Sequence, residues 1–260
     1  MLLAAITAFV GLLSVLVTGA LYTTSKTLNS PDLVALWTTG HRHAGEAGAT
    51  LALLLFGLIA WKQPKVRSAA LGMCAGLILQ AGLGSMNPGP CGRVLHALLA
   101  QTLVAGAAGF IVALSRKWSE PPQLIQDYGW PSLRSLSVSL PTLIWLQVAL
   151  AVLFRQGIMG LMPHVIGAML VSMFILMVGA FVLQQCKDHK ALSRSGRHLL
   201  ATTFVQVFLG IAIFTFRSMA QSAPGIILTL AAAHVATGAA LLAGSVVLSM
   251  HIRRNVTPKA

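Results

Sequence analysis

Apolar residues gather along this chain in eight long blocks, at roughly 2–23, 44–61, 68–86, 94–114, 138–158, 163–185, 198–216 and 224–250. Each is close to the ~20 residues a helix needs to cross a hydrocarbon layer, and the breaks between them carry the proline, glycine and charged residues that end helices. The pattern predicts an all-α integral membrane protein with eight transmembrane helices. No basic segment precedes the first block, which therefore reads as a retained helix and not as a signal peptide. The longest polar connection, residues 115–137, holds three prolines and divides the chain into an N-terminal half, 1–114, and a C-terminal half, 138–260.

The halves repeat one another. A Gln-x-x-Leu-small pattern occurs as Gln80-Ala-Gly-Leu-Gly84, Gln147-Val-Ala-Leu-Ala151 and Gln206-Val-Phe-Leu-Gly210. His41 and His164 open the second helix of each half, with Gly45 and Ala168 four residues on; His96 and His234 lie in the fourth helices, followed by Ala100 and Gly238. Two pseudo-symmetric four-helix bundles are expected, each supplying one histidine pair.

Composition excludes a soluble domain, with 56% hydrophobic and 9% charged residues and a mean hydropathy of +0.81. A net charge of +13 would suggest a nucleic-acid partner in a soluble protein, but here its distribution excludes that reading. Thirteen of the eighteen Lys and Arg fall in alternate loops and the C-terminal tail: Lys62, Lys65, Arg67, Arg116, Lys117, Arg134, Lys187, Lys190, Arg194, Arg197, Arg253, Arg254 and Lys259. The positive-inside rule makes these loops, the 115–137 linker and both termini cytoplasmic, in an inner or cytoplasmic membrane with anionic lipid at the basic end. Counting back from Lys62, Arg116, Lys187 and Arg253 puts His41, His96, His164 and His234 about 30 Å away, near the outer face.

Ionisable groups at a shared depth in a bundle mark a site. Two histidines on neighbouring helices can reach one iron from opposite faces of a porphyrin, and Leu, Val, Met and Phe suit the macrocycle. Zinc fits less well, because no Cys, Asp or Glu other than Glu46 stands at that depth to complete a tetrahedral set; hydrogen bonding between helices is the purely structural alternative. His43 competes with His41 as a ligand, since residues two apart cannot share a helix face, and Gly45 favours His41. His43 and Glu46 are spaced to hydrogen-bond, orienting a ligand or relaying a proton. Arg42, Arg93, Arg155 and Arg217 are the outer arginines, suited either to haem propionates or to lipid headgroups. Gln80 and Gln206, like Gln147, can cap a propionate or bond across helices. Cys74, Cys91 and Cys186 suggest no disulfide framework, and Cys91 reads as a free thiol.

Together, the eight helices in two halves, His41-Arg42-x-x-Gly45, His96 in Leu95-His-Ala-Leu-Leu-Ala100, Pro163-His164-x-x-x-Ala168, the Gln-x-x-Leu-Gly repeats and His234 resemble haem A synthase. That family oxidises the methyl group of haem o to the formyl group of haem a. The resemblance covers nearly the whole chain. It implies that His164 and His234 bind a haem b cofactor, that His41 and His96 flank a second haem (haem o or a as substrate, or another haem b), and that the partners are a haem o supplier or a membrane redox complex. The family's Glu-x-x-His-Arg motif is broken here: Thr38 stands three residues before His41, and Gly40 three before His43. Residues 24–40 also lack the cysteine pair found in many members. The resemblance therefore implies an oxidoreductase with Glu46 as the remaining catalytic carboxylate, or else a non-catalytic bis-histidine b-type cytochrome carrying electrons between a quinone or membrane partner and an outer-side acceptor.

Overall fold

The computed structural model describes residues 1–86, 89–127, 130–219 and 224–258; Lys259 lies outside them. Among the described residues, eight helices are long and apolar enough to cross a membrane. They are α1 (Leu2–Thr27), α2 (Pro31–Lys62), α3 (Arg67–Ser85), α4 (Pro90–Ala113), α6 (Leu133–Arg155), α7 (Leu161–Gln185), α8 (Lys190–Met219) and α9 (Pro224–Asn255). The linker adds a one-turn helix α5 (Arg116–Ser119) and a strand β1 (Ile125–Gln126), which pairs in parallel with β2 (Val256–Thr257).

In the first half, α1 packs on α2, α2 on α3, α3 on α4 and α4 back on α1; α6, α7, α8 and α9 close the second ring in the same order. The two bundles meet where α9 packs on α1 and α4, and where α4 touches α6. Helix α9 suits this central place because its Ala231, Ala232, Ala239, Ala243 and Ser245 are small and buried, so neighbouring backbones can come close. Each bundle has its own core. The first contains Phe56 and Phe110, edge to face at 5.1 Å, and the second contains Leu140, Ile175, Val178, Leu199 and Leu248. Large apolar side chains such as Met169 and Met173 of α7 and Phe204, Phe208 and Phe214 of α8 point outward. In a lipid solvent this is a favourable surface.

Three helices start well ahead of their apolar blocks, α8 at Lys190 among them. Helix α2 begins at Pro31, with Ser30 extended at the N-cap and Asp32 in the first turn, so His41 lies well inside a helix and not at its mouth. Helix α6 begins at Leu133 because buried Asp127 caps it: its carboxylate accepts from the Ser132 hydroxyl at 2.8 Å and from the Leu133 and Arg134 N–H groups at 3.0 and 3.2 Å. The Asp127 N–H in turn donates to the Thr257 carbonyl at 2.9 Å. Arg134 donates to the Val256 carbonyl at 2.6 Å, which ties the linker to the C-terminal tail.

Candidate functional site

Each of the four intramembrane histidines is held by a neighbouring helix. His41 of α2 leans on α1, with Nδ1 3.0 Å from Thr18 Oγ1. The Thr18 hydroxyl proton goes to the Val15 carbonyl at 2.8 Å. Thr18 oxygen is thus the acceptor, His41 donates from Nδ1–H, and the lone pair is left on Nε2, the tautomer that a metal-binding imidazole requires. Tyr22 stacks on the same ring, 6.2 Å away and 12° from parallel.

The other three histidines explain the glutamine repeat. Gln80 Nε2 of α3 lies 3.3 Å from His96 Nε2 of α4, and Gln206 Nε2 of α8 lies 3.2 Å from His234 Nε2 of α9. A Cβ added at Gly84 would come within 3.1 Å of His96 Cε1, and one at Gly210 within 3.2 Å of His234 Cε1. The repeat is an imidazole bracket: the glutamine bonds the ring and the glycine one turn on makes room for it. Gly19 has the latter role for His41, at 3.0 Å. At His164 of α7, Gln147 Nε2 of α6 lies 2.9 Å from Nδ1 and donates to the histidine's own carbonyl, also at 2.9 Å. Ala151 replaces the glycine, and Phe154 stacks on the imidazole at 6.2 Å and 5°.

The His41 and His96 rings stand 6.4 Å apart, centre to centre, and 82° from parallel. Two imidazoles on opposite sides of one metal ion place their ring centres about 6 Å apart, because each metal–nitrogen bond is roughly 2 Å long and the ring centre lies about 1 Å behind its nitrogen. His164 and His234 lie within electrostatic range of each other. Among the described residues no third His, Cys, Asp or Glu completes a metal-binding group at either pair. Nδ1 of His96 and His234 and Oε1 of Gln80, Gln147 and Gln206 are buried without hydrogen-bond partners. Trp37 Nε1, Gln101 Oε1 and His189 Nε2 are buried in the same way elsewhere.

The four arginines at the histidine end of the helices divide. Arg155 ends α6 and crosses to the first bundle, donating to the Ala20 carbonyl and to Thr24 Oγ1 of α1, each at 3.2 Å. It lies within electrostatic range of both Arg217 and His234. Arg93 of α4 donates to Gln156 Oε1 at 3.1 Å, next to Arg155 in sequence. Arg42 instead sits on the exposed face of α2 and pairs with Glu46 at 3.0 Å. His43 is on that same exposed face, 3.7 Å from Glu46, while His41 faces α1 and His96. Thr38 is exposed too, its hydroxyl donating to the Val34 carbonyl at 2.6 Å. Glu46 and Thr38 are both exposed, and each bonds within its own helix, to Arg42 and to the Val34 carbonyl respectively. Gln80 and Gln206 bond the histidines directly, the cross-helix option of the two the sequence allows. The three cysteines are free; burial and the nearby Asp127 charge push the Cys186 thiol up to about 11, whereas Cys91 is exposed.

Sequence reasoning missed Thr18, Gly19 and Tyr22, because α1 carries no glutamine repeat. The signal available was a polar residue beside a glycine within an otherwise apolar block. No family model matches the chain, and no match to a curated protein was found.

Proposed function

We propose that this chain is a haem-binding membrane redox protein resembling haem A synthase, with His41 and His96 as axial ligands in the N-terminal bundle and His164 and His234 in the C-terminal one. The 6.4 Å spacing of the His41 and His96 rings carries the reading, since it suits one six-coordinate ion and each ring is fixed by a partner on another helix. Bound haem supplies one-electron chemistry at iron. The chain's own groups do the rest. Thr18 sets the His41 tautomer, and Gln80, Gln147 and Gln206 orient the other three rings, each with its side-chain oxygen turned to accept the ring N–H so that the opposite nitrogen keeps its lone pair for iron. Arg155 and Arg217, two cations held in range of one another, attract propionate carboxylates. In this reading the C-terminal site holds haem b, the N-terminal site holds haem o, haem a or a second haem b, and both lie near the outer face with the termini cytoplasmic.

The exposure of Thr38 and Glu46 supports a second reading, a b-type cytochrome of the same fold that moves electrons without oxidising haem, as a subunit or partner of a membrane complex. Chromatography of haems extracted after co-expression with a haem o source separates the two: haem a made by the wild-type chain refutes the electron-transfer-only reading, and its absence where an authentic synthase succeeds refutes the enzyme. For haem binding itself, the purified protein is expected to show a low-spin bis-imidazole spectrum. His41→Ala or His96→Ala should remove one component and His164→Ala or His234→Ala the other. A colourless protein from haem-replete cells overturns the proposal.

A further inference from the structure

Away from the histidines, two adjoining cavities of about 690 and 430 Å³ run end to end along the outside of α6, α9 and α4, sharing Pro141, Thr142 and Val246. Pro141 lies in the wall shared by the two. Lacking an N–H, it leaves the Ser137 carbonyl without its helical partner, and Ser249 of α9 donates to that carbonyl at 2.5 Å. The walls are apolar, formed by Val138, Val246, Met250, Ala105 and Leu242. At one end the Trp145 indole N–H donates to Thr102 Oγ1 at 3.1 Å.

The other end is cationic. Arg254 lies over the Trp118 ring at 4.5 Å and donates to the Lys117 and Glu120 carbonyls, and Arg253 stands exposed beside it in the cavity lining. Backbone carbonyls orient Arg254 without neutralising it, and among the described residues neither arginine pairs with a carboxylate. From Leu242 to Arg253 the groove follows α9 for about 16 Å at 1.5 Å per residue. An apolar trough of this length with an uncompensated guanidinium pair at its mouth is complementary to an acyl chain attached to a negative headgroup.

We propose that this groove holds one anionic glycerophospholipid, its phosphate at Arg253 and Arg254 and an acyl chain against Val138, Val246 and Met250. A neutral quinone leaves the two charges unmet, and a zwitterionic lipid brings a headgroup cation along with its phosphate. The proposal does not depend on haem. Native mass spectrometry of the full chain in detergent, supplied with phosphatidylglycerol or phosphatidylcholine, tests it. The wild type should retain one phosphatidylglycerol and no phosphatidylcholine under mild activation. Arg253→Gln, which removes a headgroup contact, and Val138→Trp, which fills the trough from its exposed wall, should each lower that retention about fivefold. Arg194→Gln, on another basic-end helix start, should leave it unchanged. Equal retention across all four proteins overturns the site, as does an equal loss in Arg194→Gln, equal binding of phosphatidylcholine, or a quinone in the lipid's place.

Discussion

The two bundles solve the same problem with different means. In the C-terminal half both histidines are held by glutamines, and the cation Arg155 sits within electrostatic range of His234. In the N-terminal half His96 keeps its glutamine, but His41 is held by a threonine hydroxyl and a tyrosine ring, and the two imidazoles lie edge to face with centres 6.4 Å apart. A duplicated scaffold thus preserves the small-residue slot that admits an imidazole, while the group that orients the ring diverges. Divergence of that kind gives two sites of one architecture different electronic surroundings, because the partner of the second ring nitrogen tunes a ligand's basicity.

The largest effect is expected from filling the slots. Gly84→Leu should displace His96 and remove the N-terminal haem component, and Gly210→Leu should do the same for His234 and the C-terminal one, each halving the haem-to-protein ratio in a pyridine haemochrome assay. Loss of both components from either single variant would mean that the bundles do not form independent sites. Next comes Arg155→Gln. A cation near an iron stabilises the reduced, less positive state, so its removal should lower the midpoint potential of the His164/His234 site by on the order of 50 mV and leave the His41/His96 site nearly unmoved. Redox titration followed optically checks this, and equal shifts at both sites would erase the contrast between the halves.

Smaller still is the effect on stability. Gln147→Leu deletes two interhelical hydrogen bonds and should cost about 1 kcal/mol in detergent unfolding, against roughly half that for Gln80→Leu, which deletes one; an equal cost would show that the second bond of Gln147 contributes nothing. Least of all is expected from Glu46→Gln, whose carboxylate is paired on an exposed face: haem spectra and thermal midpoint should both stay as in the wild type. Abolition of haem a formation by this change would restore Glu46 to a catalytic role, and gain of haem a formation by Thr38→Glu would show that the position one turn before His41 reaches the substrate.

Eight apolar blocks, a split of basic residues between alternate loops and the recurrence of histidines at one depth were all legible in the sequence, because membrane insertion is governed by local hydrophobicity and charge and each helix satisfies its own backbone. Gln80, Gln206 and the four histidines were legible for a related reason: the repeat places the same residue types at the same depth twice over. Which atom each glutamine serves was not. Whether it meets a propionate or an imidazole depends on which helices are neighbours and how they are rotated, which helix periodicity alone leaves free. The same holds for which of His41 and His43 faces α1 and His96, set by the rotation of α2, and for Thr18, Gly19 and Tyr22, which meet His41 only once α1 lies against that face. Tertiary structure alone also placed Arg155 across the bundle boundary and tied the 115–137 linker to the C-terminal tail through Asp127 and Arg134. These are contacts between residues more than a hundred positions apart, and no local pattern encodes them.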